Sequence, residues 1–179
     1  MNFTLTDDQR QLQQSARDFA QAELPKIAAQ LERDNTPAPA ALIRRYAELG
    51  FLGINVPEEL GGLSLGNLEA LIVLEEFAKI SSAVAFPIFE SSVGPVRAIE
   101  LFGSDSLKQR IVPAVCKGEM VVAVSMSEPD AGSALTDLKT TAEIRGDTVV
   151  LNGTKRWCSG GGHSSAYLVY CRLSQDKGA

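Results

Sequence analysis

The chain is poor in histidine and cysteine, the ligands of zinc sites and the makers of cross-links. Its 179 residues include one histidine, His163, and three cysteines, Cys116, Cys158 and Cys171, with no C-x-x-C pair. That supply argues against a Cys/His zinc site, which needs closely spaced ligands, and no metal is expected. The odd cysteine count argues against a disulfide framework and fits a reducing compartment. Basic clusters are also lacking: 17 Lys and Arg stand against 22 acidic residues, a net charge of −5, and the basic residues are scattered. A nucleic-acid partner would call for a basic face, so none is expected. No apolar run approaches the roughly 20 residues of a membrane-spanning helix. The opening MNFTLTDD has neither the basic nor the apolar region of a signal peptide. A cytoplasmic location is the expectation.

What the chain does have is 45% hydrophobic residues, enough to bury a core. The first part reads as helical. Thr6 and Gln9 form a capping-box pattern with Asp7 and Asp8 in the first turn. Leu12, Ala16, Phe19, Ala20, Leu24 and Ile27 then recur at helical spacing, with Pro25 expected to kink or split the helix. A second helix is expected over 39–49, with Leu42, Ile43, Tyr46 and Leu49 on one face. The loop GFLGINVPEELGG at 50–62 carries Phe51, Leu52, Ile54 and Val56 as core plugs. A third helix is expected over 67–80, burying Leu68, Leu71, Ile72 and Leu74 and leaving Glu75, Glu76 and Lys79 outside. Shorter helices follow over 83–92 and 93–101, then one capped by Ser104 or Asp105.

After Gly118 the pattern changes. Residues 121–126 form a β-branched run, and Pro129 stops it. A strand over 138–145, with Thr140, Ala142 and Ile144 on one face, turns at Gly146 and Asp147 into 148–151. Asn152-Gly153 signals a type I′ turn into a strand over 154–158. Gly160, Gly161 and Gly162 make another turn, and 166–172 a last strand. The expected fold class is α+β: an all-helical N-terminal domain, 1–118, then an antiparallel β-barrel-like domain, 119–179, that is incomplete here. The tail 174–179 reads as a turn towards a further strand.

Two segments of the second part concentrate small hydroxyls, glycines and one indole: VSMSEPDAGS at 124–133 and NGTKRWCSG at 152–160. Small donors beside one flat apolar side chain suit an amphipathic heteroaromatic ligand. Each residue also has a plain structural reading. Trp157 suits a core strand position, Ser127 a strand-end turn, Ser133 a turn cap, and 160–162 a flexible hairpin. Glu128, beside Pro129, reads as structural or solvated, and His163 as an exposed loop residue.

Taken together, the two segments resemble motifs of the acyl-CoA dehydrogenase family, flavoproteins that form an α,β double bond in acyl-CoA thioesters. The loop at 50–62 and FGS at 102–104 with KQR at 108–110 match as well, so the resemblance runs through essentially the whole chain in order. It implies an FAD cofactor, an acyl-CoA substrate, an electron-transfer flavoprotein as electron acceptor and a homotetramer or homodimer. It implies that Ser127 faces the pyrimidine side of the flavin, Ser159 approaches N5 and Trp157 packs on the ring. Backbone N–H groups of Val124, Ser125 and Met126 would meet the ring edge, and Cys158 belongs to the same cofactor-binding segment. Gly132 and Ser133 would lie near the FAD pyrophosphate or acyl-CoA. Phe89 and Glu90, with Phe86, align with helices lining the acyl pocket, although the two phenylalanines equally suit ordinary core. The catalytic base is expected beyond Ala179, so no residue here takes that role. Ala134 stands where the family often has Asp, and Cys158 replaces a common aliphatic residue, expected as a buried small hydrophobe. Alternatives are an oxidase or flavin monooxygenase on the same scaffold, and a non-catalytic binding protein retaining the fold.

Overall fold

The first helix begins where the capping residues put it. The Thr6 hydroxyl accepts the Gln9 N–H at 3.2 Å, and the Gln9 side-chain oxygen accepts the Thr6 N–H at 2.9 Å, so two orphan donors are satisfied reciprocally. The computed structural model describes residues 4–173, and the expected turn at 174–179 lies outside them. Two compact units are distinguished, one ending at Val122 and the other beginning at Ala123.

The first unit is helical: α1 (Asp7–Asp34), α2 (Ala40–Glu48), α3 (Asn67–Ala78), α4 (Ser82–Ile88), α5 (Pro95–Phe102) and α6 (Asp105–Cys116), with a 3₁₀ turn at Glu58–Leu60. Of the two outcomes expected at Pro25, a kink or a split, the split does not occur: α1 runs unbroken through it. Leu24, Ala28 and Leu31 are buried on either side of that proline, so packing holds the segment helical against the lost backbone bond. Phe19, Tyr46, Phe51 and Phe77 form an aromatic cluster with ring centroids 5.1 to 5.9 Å apart. The buried Tyr46 hydroxyl donates to the Val84 carbonyl at 3.0 Å. The plugs Phe51, Leu52, Ile54 and Val56 are all buried. Gly62 lets their loop close: a Cβ there would lie 2.2 Å from the Val56 carbonyl oxygen.

Helix α3 faces the core differently from the expectation. Ala70, Val73 and Phe77 bury, together with Ile72 and Glu76, while Leu68 and Leu71 are half exposed. The i, i+3, i+7 spacing of 70, 73 and 77 selects this face. It carries Glu76 inward, where the Arg17 guanidinium at 3.0 Å and the Lys79 ammonium at 2.8 Å neutralise it. The Arg17 bond in particular holds the Glu76 carboxyl below the usual range despite its burial. Leu49, expected on the buried face of α2, is 39% exposed because α2 ends at Glu48.

The expected pair of helices over 83–101 is joined by a five-residue π turn, Phe89–Val93. Pro87 has no N–H to give, and the Gly94 N–H reaches back five residues to the Phe89 carbonyl at 2.7 Å. Ser91 and Ser92, buried on this turn, accept the N–H groups of Gly53 and Ile54 at 3.4 and 3.3 Å.

The second part is β-rich. Strand β1 (Val122–Ser125) pairs with β4 (Ala166–Val169), and β2 (Thr141–Arg145) pairs antiparallel with β3 (Thr148–Asn152), Thr141 opposite Asn152 and Arg145 opposite Thr148. The sheet is incomplete among the described residues, which form two two-stranded pieces. Thr140 is buried and Ala142 half-buried, but Ile144 on their face is 63% exposed. The last expected strand stops at Val169, although Arg172 still makes a bridge to Thr141.

The expected type I′ turn and strand over 154–158 do not form. Gly153 has φ of +158°, and a Cβ there would lie 2.7 Å from the Thr140 Cα. Glycine is therefore needed for a close crossing of the backbone, after which the chain runs along residues 126–128 instead of turning back on β3. The Arg156 N–H donates to the Ser127 carbonyl at 2.9 Å. Among the described residues no helix is long and apolar enough to cross a membrane.

Candidate functional site

A turn containing Pro129 follows β1 after two residues, Met126 and Ser127, and is closed by backbone bonds exchanged between Glu128 and Ala131. Glu128 consequently points its carboxylate inward. One oxygen accepts the Thr140 N–H and the Lys155 ammonium, each at 2.8 Å, and the other accepts the Lys139 N–H. Lys155 donates also to the Met126 carbonyl at 2.9 Å. The pair is enclosed, with 12% of the Lys155 side chain and 5% of the Glu128 side chain exposed. Burial pushes the Glu128 carboxyl up, but the Lys155 ammonium and the two backbone donors outweigh it and hold the group down at about 2.

These bonds bring together the two segments singled out in the sequence. Lys155 meets Met126, and Arg156 meets Ser127, so the strands of chain run in step for two residues. Trp157 follows directly. It belongs to no strand, contrary to its expected place on one. Its φ is +61°, in the left-handed region, and its side chain is 78% exposed. A bulky aromatic in that region is an outlier costing about 1–2 kcal/mol, and such strain clusters at functional sites. The Arg156 guanidinium carbon sits 4.2 Å from the indole centroid, a cation–π contact. Cys158 is half-buried, more open than the expected core position, and Ser159 is exposed at the start of the glycine turn. Tyr167 fixes that turn: its hydroxyl accepts the Gly162 N–H at 2.9 Å and donates to the Gly160 carbonyl at 3.1 Å.

Ser125 is buried at the end of β1, and Val124, Met126 and Ser127 are half-buried, within hydrogen-bonded chain. Gly132 and Ser133 lie in an exposed loop. Phe89 and Glu90 belong to the helical unit. The Phe89 ring is 5.4 Å from that of Phe86, and Glu90 is buried, its carboxyl pushed up to about 7 by desolvation. His163 is exposed, as expected of a loop residue.

Sequence reasoning gave Lys155 no role and Glu128 no partner; of the two readings of Glu128, structural or solvated, its buried ion pair fits the structural one. A signal was available: the 124–133 motif carries only acidic charges, Glu128 and Asp130, and the 152–160 motif only basic ones, Lys155 and Arg156. As built, the site offers an exposed indole, flanking hydroxyls and glycine backbone over a rigid charged anchor. That arrangement suits a flat ligand with polar edges.

Comparison with known proteins finds relatives along nearly the whole chain. The acyl-CoA dehydrogenase N-terminal domain model matches residues 6–119, and the middle-domain model matches residues 123–179. A 3-sulfinopropanoyl-CoA desulfinase of Paraburkholderia xenovorans is 39% identical over 97% of this chain and 44% of its own length. A solved glutaryl-coenzyme A dehydrogenase in complex with glutaryl-CoA superposes with TM-score 0.88 at 34% identity, over 96% of this chain and 44% of that one. A solved FAD complex of PigA superposes with TM-score 0.88 at 26% identity, over 99% of this chain and 47% of that one. The chain thus spans less than half the length of these relatives.

Proposed function

Since the chain belongs to the acyl-CoA dehydrogenase family, we propose that it forms the flavin-holding part of an FAD-dependent enzyme that introduces an α,β double bond into an acyl-CoA thioester. The observation that carries this reading is Trp157, an exposed indole held in left-handed backbone directly after the residue bonded to Ser127 and two residues before Ser159. A flat face of this size, strained and turned to solvent, fits an isoalloxazine better than it fits a core. FAD, when bound, supplies the acceptor for the hydride that leaves the acyl β-carbon.

The chain's own residues bind and orient. In this proposal Ser127 offers its hydroxyl to the pyrimidine side of the flavin, Ser159 to N5, and Trp157 its indole to the ring. Backbone N–H groups of Val124, Ser125 and Met126 serve the ring edge, with Cys158 beside them. Gly132 and Ser133 serve the pyrophosphate or acyl-CoA, and Phe89 and Glu90 the acyl chain. The α-proton goes to a carboxylate outside residues 1–179. Glu128 does not take that proton, because a carboxyl held at about 2 is too weak a base. An electron-transfer flavoprotein as electron acceptor, a homo-oligomer and a cytoplasmic location complete the proposal.

Anaerobic addition of acyl-CoA thioesters to the FAD-loaded enzyme is the test. Rapid bleaching of the flavin's visible absorbance is expected with the right acyl chain. Absence of bleaching across a series of chain lengths and branching patterns would overturn dehydrogenation. The 39% identity to a desulfinase favours one second reading, removal of a sulfino group from an acyl-CoA. It predicts turnover of a sulfinoacyl-CoA with the flavin absorbance unbleached.

A further inference from the structure

We infer that Lys155 and Glu128 are positioning residues whose ion pair sets the spacing between Ser127 and Trp157 for the flavin. The inference rests on the functional reading given above. The two side chains come from segments 27 residues apart, and their contact at 2.8 Å joins the motif ending in Ser133 to the motif holding the indole. Neither partner is free to swing. Glu128 is fixed from behind by the N–H groups of Lys139 and Thr140, and Lys155 is fixed from the side by the Met126 carbonyl.

The register of this clasp is what matters for a ligand. Lys155 holds Met126 while Arg156 holds Ser127, so the next residue, Trp157, follows in one defined register with Ser127. The Ser127 carbonyl accepts the Arg156 N–H, so the backbone of Ser127 is held while its hydroxyl takes no part in the clasp. A left-handed backbone at tryptophan persists only where the surroundings over-determine it, and the residues just before it are tied down at three points. A buried ion pair is also weak evidence for stability as such, since desolvation offsets most of the attraction. Its clearer use is to specify one arrangement among several, here the relative placement of two segments that must meet the same ring.

The test compares Lys155→Met, Lys155→Arg and Glu128→Gln in the enzyme with the wild type, at a temperature where circular dichroism finds each variant folded. FAD affinity and the visible spectrum and reduction potential of the bound flavin are measured. Loss of a buried charge-assisted bond should raise the FAD Kd by about ten- to a hundredfold in Lys155→Met, with a shifted spectrum and potential. Lys155→Arg, which keeps the charge, should recover part of the affinity, and Glu128→Gln, which keeps shape and an acceptor, should fall between. Should Lys155→Met fail to fold, Glu128→Gln carries the same comparison. Folded variants whose FAD Kd, spectrum and potential match the wild type would overturn the inference and leave the pair a structural tie only. A wild type that binds no FAD would instead overturn the functional reading, and the inference with it.

Discussion

Replacing Trp157 by glycine is expected to weaken FAD binding by about ten- to a hundredfold, the loss seen when an aromatic stacking platform is removed, while leaving the ligand-free protein about as stable as before. The two effects have separate physical origins. The indole is 78% exposed, so its removal forfeits little core burial. It does forfeit the Arg156 contact, about 0.5–1 kcal/mol at an exposed site. Against that, glycine relieves a left-handed backbone costing about 1–2 kcal/mol for other residues, at some cost in unfolded-chain entropy. These terms nearly cancel, and the ligand-free stability should stay within about 1 kcal/mol of wild type. Trp157→Phe, which keeps a smaller flat face, should show an intermediate affinity. Calorimetric FAD titration and urea unfolding of the same preparations check both halves. A large stability loss with unchanged affinity would identify Trp157 as core.

Glu128→Ala is expected to destabilise the β-rich part by about 3–5 kcal/mol, the usual consequence of stranding a buried charge. The carboxylate serves the Lys155 ammonium and the backbone N–H groups of Lys139 and Thr140; alanine leaves the two N–H groups without this acceptor and the buried ammonium, still bonded to the Met126 carbonyl, without its counter-charge. The pH dependence has a definite sign. The folded Glu128 carboxyl sits at about 2, below its ordinary 4.5, so the unfolded chain binds the proton more readily. Its contribution is therefore complete above the ordinary value and disappears as the pH falls through the window between 4.5 and about 2. Urea unfolding of wild type and Glu128→Gln across that window should give curves that converge on acidification. Curves that stay parallel would show that the ion pair contributes nothing differential to folding.

Local rules carried the reading of the chain where neighbours in sequence decide the outcome. Thr6 and Gln9 cap α1 as their spacing requires, Ser104 caps α6 by accepting the Leu107 N–H, and Gly146 with Asp147 turns β2 into β3. They failed where distant contacts decide. Asn152-Gly153 is a strong hairpin signal, yet the chain leaves β3 there because Lys155 and Arg156 have partners at Glu128, Met126 and Ser127. Pro25 stays helical because Leu24, Ala28 and Leu31 are packed. Glu76 looked like a surface residue until Arg17, 59 residues away, supplied its counter-charge. The candidate site divides in the same way. Its hydroxyls, glycines and indole stand out as motifs, whereas the ion pair that aligns them depends on a contact no local pattern encodes.

The central claim is that Trp157 lies against the bound flavin, and its fluorescence tests this most directly because it is the single tryptophan in these residues. FAD is titrated into the apoprotein and into Trp157→Phe, and the difference in tryptophan emission isolates Trp157. The account predicts that this emission is quenched saturably, with the same Kd that flavin absorbance reports. Saturable FAD binding that leaves the Trp157 emission unchanged would contradict it.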